Sequence, residues 1–347
     1  MTIFTRRRFL SGTLGATLAF IVGCAPRQRS EPSATPSPTP TAQAPGLAAD
    51  GIVITPTDEF YLNYWKDPSV GVGIGDWRLE IEGLVEQPLS LTYDDARALP
   101  AVEEMRALEC IGNPVGGSQI GNAIWKGFYL ENLLDQVGVH KDAIRAQFAA
   151  ADGYWTSVDL EWITQPGVLM AYEMNGEPLL PKHGYPLRIL MPGLYGQKMP
   201  KWITLIHFTR EVKLGYWEGR GWSDVASVQT NSQIWEPRNL DMVAGEIIVR
   251  GIAYAAPREI VQVELGVNDE QWIQAELTPG PSPLAWTQWR VAWQAPLGDH
   301  RLSVRATDSE GFTQTDSGPG LLAGAFPDGT NAIHAIVVSV VEQKGVQ

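Results

Sequence analysis

The sequence predicts an α+β domain followed by an immunoglobulin-like β-sandwich, behind an N-terminal leader and linker. Residues 50–230 mix helical and strand patterns without a regular βαβ rhythm, which is typical of the α+β class. Residues 231–347 are dominated by short runs that alternate apolar and polar side chains, as the strands of a sandwich do. With 347 residues, 44% of them hydrophobic, the chain is long enough to build two cores.

The composition excludes several function classes. The net charge is −13, with acidic and basic residues interspersed, so no basic face is available for nucleic acid. The sequence contains no P-loop, no GxGxxG and no HExxH, which are the commonest nucleotide and zinc signatures. Thirteen tryptophans favour an aromatic pocket or interface.

Residues 1–24 are predicted to be an export signal with a lipidation site. Residues 5–10 read Thr-Arg-Arg-Arg-Phe-Leu and precede an apolar run too short to span a membrane. The paired arginines resemble the twin-arginine motif, whose route carries folded, cofactor-loaded proteins; an ordinary secretory signal is the alternative. The run ends at Cys24 in a pattern resembling a lipoprotein site, although an incidental cysteine would look the same. We therefore expect an exported, extracytoplasmic or periplasmic protein, held at the membrane by lipid on Cys24.

Residues 25–49 are predicted to be a disordered linker. They are mostly Pro, Ser, Thr, Ala and Gln, which bury too little apolar surface to fold. Because proline stiffens such a chain, the segment is expected to act as a semi-extended spacer between lipid and folded body.

The first folded domain carries recognisable helix and strand signals. Thr92 followed by Asp95 is typical of a helix start, and Gly138 is placed to end the helix that begins near Leu130. Residues 106–110 read as a strand that runs into the glycine-rich turn 111–117. Further strands are predicted at 77–81, 186–191 and 202–208.

The second domain is expected to begin near residue 231. Asn268-Asp269 and the segment 308–311 supply turns between alternating runs. The strands are predicted at 247–252, 261–265, 289–293, 302–306 and 333–341.

Cys110 is the one cysteine outside the leader. An unpaired thiol in an exported protein is exposed to oxidation, so its presence indicates a function such as metal binding. The alternative is a buried, inert cysteine that packs like a small hydrophobe.

The residues around Cys110 resemble a known family. Leu108-Glu109-Cys110-Ile111-Gly112-Asn113 resembles the molybdenum-cysteine motif of the sulfite oxidase family, and the resemblance extends over residues 58–345. The other matching blocks follow in the family's order at 121–127, 152–154, 169–179, 183–188, 192–196 and 201–202. Asn331 and His334 match the family's C-terminal dimerisation domain. The resemblance therefore implies a sulfite-oxidase-type fold and a homodimer.

The resemblance also implies a molybdenum–molybdopterin cofactor with Cys110 as the catalytic thiolate ligand of the metal. Molybdenum takes soft sulfur donors, two from the pterin dithiolene and one from the protein. Arg188 and Lys201 have the right charge for the pterin phosphate, and backbone amides near Met199 and Pro200 are expected beside it. The residues implied for the cofactor are Tyr61, Leu62, Asn63, Trp65, Cys110, Asp152, His183, Arg188, Met199, Pro200 and Lys201.

The sequence departs from sulfite oxidases where that family binds its substrate. The family's three substrate arginines correspond here to Asn63, Val115 and Phe326, and its active-site tyrosine corresponds to Trp222, which we assign as catalytic. Losing one charged donor to a buried anion costs about 2–5 kcal/mol. Unless Arg106, Lys126 or Arg220 takes over, sulfite is a poor substrate, and a more neutral, aromatic pocket is expected.

The sequence therefore favours a molybdopterin-dependent oxidoreductase that transfers an oxygen atom to or from a small molecule. A sulfoxide or N-oxide reductase on the same scaffold is one alternative, and a non-catalytic, lipid-anchored binding protein is another. No Cys-x-x-Cys-His haem motif is present, so electrons are expected to pass to or from a separate carrier such as a cytochrome c.

Overall fold

The structure is a computed structural model that describes residues 46–47, 51–65, 72–315 and 324–342. The predicted signal, Cys24 and nearly all of the predicted linker lie outside these residues. Gly46–Leu47 (β1), assigned to the linker from sequence, pairs with Val53–Ile54 (β2), so paired backbone begins before residue 50. Within the described ranges, no helix is long and apolar enough to cross a bilayer.

The described part of the first domain contains two five-stranded sheets and three short α-helices. One sheet has the strand order β10-β9-β6-β5 with β11 beside β9, and the other has the order β4-β3-β12-β7-β8. The strands are β3 (Leu79–Gly83), β4 (Leu89–Leu91), β5 (Val102–Glu109), β6 (Ile120–Tyr129), β7 (Arg145–Ala150), β8 (Trp155–Asp159), β9 (Leu169–Met174), β10 (Glu177–Pro178), β11 (Arg188–Leu190) and β12 (Ile203–Thr209). The helices are α1 (Tyr93–Ala98), α2 (Glu131–Val137) and α3 (Leu160–Thr164), with 3₁₀ turns at Pro181–His183, Gly196–Lys198 and Glu218–Arg220.

The predicted helix boundaries are confirmed by their caps. Thr92 and Asp95 form a reciprocal capping box at the start of α1, which satisfies two backbone N–H groups there. Gly138 ends α2 in a left-handed conformation, and its N–H donates to the Leu134 carbonyl.

Two central strands were not predicted from sequence, because neither shows the alternation of a half-buried strand. Every residue of β9 is buried, Glu173 included, so apolar and polar side chains do not alternate along it. β6 contains Gly121 and Gly127, and a side chain on Gly121 would collide with the Phe60 ring. The predicted strands at 77–81, 186–191 and 202–208 exist with ends shifted by one or two residues.

The described part of the second domain is a sandwich, as predicted, with one four-stranded and one five-stranded sheet. Their orders are β13-β15-β19-β18 and β14-β21-β20-β16-β17, and a core that includes Trp289 and Val304 lies between them. The strands are β13 (Asn231–Glu236), β14 (Met242–Val243), β15 (Glu246–Tyr254), β16 (Ile260–Val267), β17 (Gln271–Gln274), β18 (Glu276–Thr278), β19 (Thr287–Gln294), β20 (Gly298–Asp308) and β21 (His334–Val340).

Strand β5, which leads to Cys110, is held by the second domain as well as by its own sheet. The Ala107 N–H donates to the Leu284 carbonyl at 2.8 Å, and the Tyr254 hydroxyl donates to the Ala107 carbonyl at 3.1 Å. Ile111 packs in a hydrophobic cluster that also contains Ile252 of β15. The end of β5 is therefore positioned from both sides.

Candidate active site

The predicted site residues surround one cavity of about 310 Å³ at the end of β5. Cys110 and Trp222 both line it, and so does each residue that the resemblance implied for the cofactor. The other lining residues are Phe60, Tyr64, Leu108, Ile111, Gly112, Gln119, Tyr154, Gly196, Gln197, Trp202 and Trp217. The structure thus brings the predicted set together, and the role of each residue towards the cofactor stays a prediction.

The Cys110 thiol faces the cavity and accepts two hydrogen bonds. Asn63 Nδ2 donates to Sγ at 2.9 Å, and the Gly112 N–H lies 3.4 Å from it. Burial raises the pKa of the thiol and the nearby Glu109 adds to that, while the Gly112 and Asn63 hydrogen bonds act in the opposite direction. A soft metal cation would displace the thiol proton and bind the thiolate. The Asn63 and Gly112 donors already orient the sulfur atom.

The backbone of the cysteine turn is fully paired. The Cys110 N–H donates to the Gln119 carbonyl at 3.0 Å, and the Cys110 carbonyl accepts from the Asn113 N–H at 2.9 Å. Both backbone polar groups of Cys110 are thus satisfied within its own turn, which leaves the side chain free to face the cavity.

The Glu109 carboxylate lies behind the thiol and was not predicted as a site residue. It is 3% exposed and accepts from Asn113 Nδ2 and Asn231 Nδ2, each at 2.9 Å. Burial raises its pKa to about 7, although both amide hydrogen bonds favour the ionised form. Asn231 is distant in sequence, so no local pattern could have revealed this contact.

Arg188 is a buried cation on the cavity wall. It is 4% exposed, its guanidinium carbon lies 5.1 Å from the centre of the Trp125 ring, and Nη1 donates to the His183 carbonyl at 3.1 Å. Burial lowers its pKa to about 10. Nε has no hydrogen-bond partner, and no ion pair among the described residues involves Arg188.

Lys201 is the second cation of the cavity. Nζ donates to the carbonyl of Asn63 at 3.0 Å and lies 3.8 Å from the centre of the Tyr64 ring. Burial, and then the charge of Arg188, lowers the pKa of Lys201 to about 7. Two cations without a paired carboxylate make this end of the cavity suited to an anion.

His183 is neutral and fixed. Its Nε2 lies 2.7 Å from the Thr57 carbonyl, which requires Nε2 to be the donor, and its ring packs edge-on against Phe60. Burial lowers the pKa of His183 to about 4, so the ring stays uncharged at neutral pH.

The backbone at Met199 and Pro200 is partly used by the fold. The Met199 N–H donates to the Gly196 carbonyl at 3.1 Å within a 3₁₀ turn, and Pro200 has no N–H. Both residues line the cavity, and the expectation that a backbone amide near them meets the cofactor stays a prediction.

The rest of the cavity wall is aromatic. The Trp222 ring meets Phe326 edge-on, with ring centres 5.1 Å apart, and Trp217 meets Tyr216 at 4.9 Å. The Tyr154 hydroxyl donates to the Gln197 carbonyl at 2.6 Å and is not an anion-binding group towards the cavity.

The three cations that were candidates to replace the missing arginines are engaged elsewhere. Arg106 pairs with Glu104 and donates to the Gly167 and Leu190 carbonyls. Lys126 pairs with Glu173 at 3.2 Å, and Arg220 stacks on Tyr216 at 3.6 Å. None of the three lines the cavity.

A buried ionic network supports the aromatic wall. Lys198, with no exposed side-chain surface, pairs with Glu218 at 2.5 Å and Asp224 at 3.3 Å. Asp224 also accepts from Arg145 at 2.8 and 2.9 Å. The network ties the segment that carries the wall tryptophans to β7 and to the 3₁₀ turn before Lys201.

Comparison with known proteins gives consistent results. The family described as the oxidoreductase molybdopterin binding domain matches residues 67–217. The chain is 36% identical over 146 residues to the uncharacterized oxidoreductase YuiH of Bacillus subtilis, covering 42% of this chain and 72% of YuiH. It is 29% identical over 292 residues to sulfite oxidase of Arabidopsis thaliana, covering 69% of this chain and 74% of that enzyme. The sulfane dehydrogenase SoxCD of Paracoccus pantotrophus shares the fold, with a TM-score of 0.71, 22% identity and 83% coverage of both chains.

The cavity fits a molybdenum–molybdopterin group. In the described part of the chain, no cluster of three or more His, Cys, Asp or Glu side chains could hold a metal by itself. Cys110 therefore offers one soft donor, and a dithiolene is the kind of ligand that completes such a site. Arg188 and Lys201, which form no ion pair with a described carboxylate, match the phosphate of the pterin.

The pKa of Lys201 predicts that cofactor retention falls as pH rises. Above about pH 7 the free cavity holds a neutral lysine, so binding an anion must take up a proton. The apparent affinity should then fall by up to about tenfold per pH unit above that point. The stability of the cofactor-free fold should rise over the same range, because the unfolded chain keeps a proton that the buried lysine has lost, and a neutral side chain costs less to bury than a charged one.

Molybdenum content after dialysis at about pH 6.5 and about pH 8.5 measures this effect. Lys201→Arg keeps its charge at both values and should remove the pH dependence. The exposed Lys141→Arg is the matched control and should behave like the unaltered protein. Equal retention by the unaltered protein at both pH values would contradict a role for Lys201 in holding the anion.

Proposed function

This chain belongs to the sulfite-oxidase-like family of molybdopterin oxidoreductases, and from that membership we propose that it acts on a small uncharged oxygen donor, a sulfoxide or an N-oxide. It is a molybdenum-dependent enzyme with molybdopterin as its cofactor, which sets aside a non-catalytic binding protein. Oxygen-atom transfer on a small substrate is the reaction class. The choice of an uncharged substrate over sulfite is the proposal.

The neutral aromatic wall beside Cys110 carries this proposal. Sulfite is a dianion at neutral pH and needs cations to offset the loss of its hydration. The cations of the cavity are Arg188 and Lys201, which the pterin phosphate would occupy, and Asn63 stands beside the thiol. With each missing charged contact costing about 2–5 kcal/mol, the site disfavours a dianion. Trp217 and Trp222 offer apolar surface to an organic sulfoxide instead.

The residues have distinct roles in the proposed reaction. The bound cofactor supplies a metal centre that exchanges an oxygen atom and two electrons with the substrate. Cys110 holds the metal, and Asn63 orients the sulfur. Trp222 packs against the substrate and excludes water. Reduction of a sulfoxide consumes two electrons and two protons and releases the sulfide and water, so a reduced carrier must supply the electrons.

Turnover of a substrate panel by the metal-loaded enzyme tests the proposal. Aryl methyl sulfoxides and aromatic N-oxides are assayed with a reduced dye as electron donor, and sulfite with an oxidised dye as acceptor. We expect kcat/KM for at least one oxide to exceed that for sulfite by about 100-fold or more, since three charged contacts are missing for the anion. Faster sulfite oxidation than oxide reduction would overturn the proposal.

A pair of tryptophan variants locates the substrate. Trp222→Leu should lower kcat/KM for the aryl sulfoxide by about tenfold through lost packing. Trp235→Phe is the matched control, because Trp235 packs against Trp286 and does not line the cavity. Equal effects of the two substitutions would place the substrate elsewhere.

The cellular setting is also part of the proposal. The arginine-rich leader and the pattern ending at Cys24 support export and anchoring by lipid on the outer face of a membrane. The second domain resembles a dimerisation domain, which supports a homodimer. A separate electron carrier such as a cytochrome c is proposed because the sequence has no haem-attachment motif.

A further inference from the structure

We propose that Glu109 is a positioning residue for Cys110, and that its carboxylate clamps the cysteine turn between the two domains. The inference concerns the thiol and is independent of which substrate the enzyme reduces. It rests on the proposed function only in taking Cys110 as the metal ligand.

The clamp consists of two amide donors that converge on one carboxylate. Oε1 accepts from Asn113, which lies in the cysteine turn, and Oε2 accepts from Asn231, the first residue of β13 in the second domain. Asn113 uses its remaining amide oxygen to accept from the Gln119 N–H at 2.9 Å. Because Gln119 also accepts from the Cys110 N–H through its carbonyl, a closed ring of hydrogen bonds surrounds the cysteine.

The donor count explains why a glutamate occupies this position. Glu109 has no cation partner among the described ion pairs, so its buried charge is costly. A glutamine would avoid that cost, but its side chain has one acceptor oxygen and would face one of the two amides with its own NH₂ group. Only a carboxylate accepts from both asparagines, which favours a role in holding them.

Asn231 can only donate its hydrogen bond to Glu109, because its amide orientation is fixed by a second contact. Its Nδ2 group also donates to the Gln229 carbonyl at 3.1 Å, so rotating the amide by half a turn would place its oxygen against another oxygen. Asn231 can therefore act only as a donor towards Glu109. The second domain thus fixes one side of the turn, and Asn113 transmits that constraint to Cys110.

A charge-exchange pair tests the clamp in the full chain. Glu109→Gln alone sets two donors against each other. Glu109→Gln combined with Asn113→Asp restores each bond, because the introduced glutamine then donates to the introduced carboxylate, which still accepts from the Gln119 N–H. Double-mutant comparison isolates this coupling from other effects of either change.

The first readout is the alkylation rate of Cys110, followed by peptide mass spectrometry in chain produced without the cofactor. Glu109→Gln should raise the rate about tenfold, the effect of losing one buried hydrogen bond on local opening. The double variant should return to within about twofold of the unaltered protein. Asn231→Ser removes only the second-domain arm and should give a smaller increase.

The second readout is the electron paramagnetic resonance spectrum of the metal-loaded enzyme. It should change in Glu109→Gln and recover in the double variant, which a loss of stability alone would not produce. Glu173→Gln, another buried carboxylate that does not line the cavity, is the control and should alter neither readout. Unchanged alkylation and spectrum in Glu109→Gln, or no recovery in the double variant, would refute the clamp.

Discussion

Cys110→Ala is expected to abolish turnover while leaving the fold intact. Loss of a residue that merely supports a metal ligand costs about 10–100-fold, so removal of the ligand itself should cost more than about 100-fold. The thiol faces the cavity and its hydrogen bonds come from Asn63 and the Gly112 N–H. Removing it therefore opens no core cavity, and the melting temperature should shift by only about 2–4 °C.

Activity, molybdenum content and melting temperature must be measured together to interpret this variant. Ser118→Ala is the matched control, since Ser118 is exposed in the same turn and does not line the cavity. It should keep full activity. Normal turnover by Cys110→Ala would show that the metal is held elsewhere. A folded protein with unaltered metal content but no activity would show that the pterin holds the metal and that the thiolate tunes it.

The sequence predicted those parts of the site that lie in local patterns. Cys110 stands in a contiguous motif at the end of a strand, and Arg188 and Lys201 stand in blocks that resemble the sulfite oxidase family. Helix α1 begins after Thr92, whose side chain accepts from a backbone N–H, and α2 ends at Gly138, whose N–H donates to a backbone carbonyl. Local chemistry decides the helix ends, whereas the site residues were predicted from the resemblance to the family.

The rest of the site depends on contacts between distant segments. Asn231 reaches Glu109 across 122 positions, and Lys198 pairs with Glu218 although each residue alone resembles a solvated surface charge. β9 was missed for a related reason, because burial on both faces removes the alternation that marks a strand. Alternation in a sequence marks a strand that has one exposed face. A strand buried on both faces, such as β9, shows no alternation and is missed.

Arg188→Met should lose the cofactor without weakening the cofactor-free fold. Removing one partner of a buried anion costs about 2–5 kcal/mol, which corresponds to a loss of at least about 30-fold in affinity. The unliganded protein should tolerate the change, because Arg188 has no carboxylate partner among the described residues and burial already lowers its pKa to about 10. Methionine can cover Trp125 with apolar surface and avoids burying an unpaired charge.

Arg145→Met is the informative contrast, because it removes an equally buried arginine that does have a partner. Arg145 donates twice to Asp224, so its loss leaves that carboxylate with Lys198 alone and should destabilise the fold by about 1.5–3 kcal/mol. Thermal unfolding of both variants without cofactor, and molybdenum content with it, separates the two cases. If Arg188→Met unfolds as readily as Arg145→Met, then Arg188 serves the fold. If it keeps both stability and metal, the anion lies elsewhere in the cavity. Only retained stability with lost cofactor identifies Arg188 as a group whose charge is neutralised by the ligand.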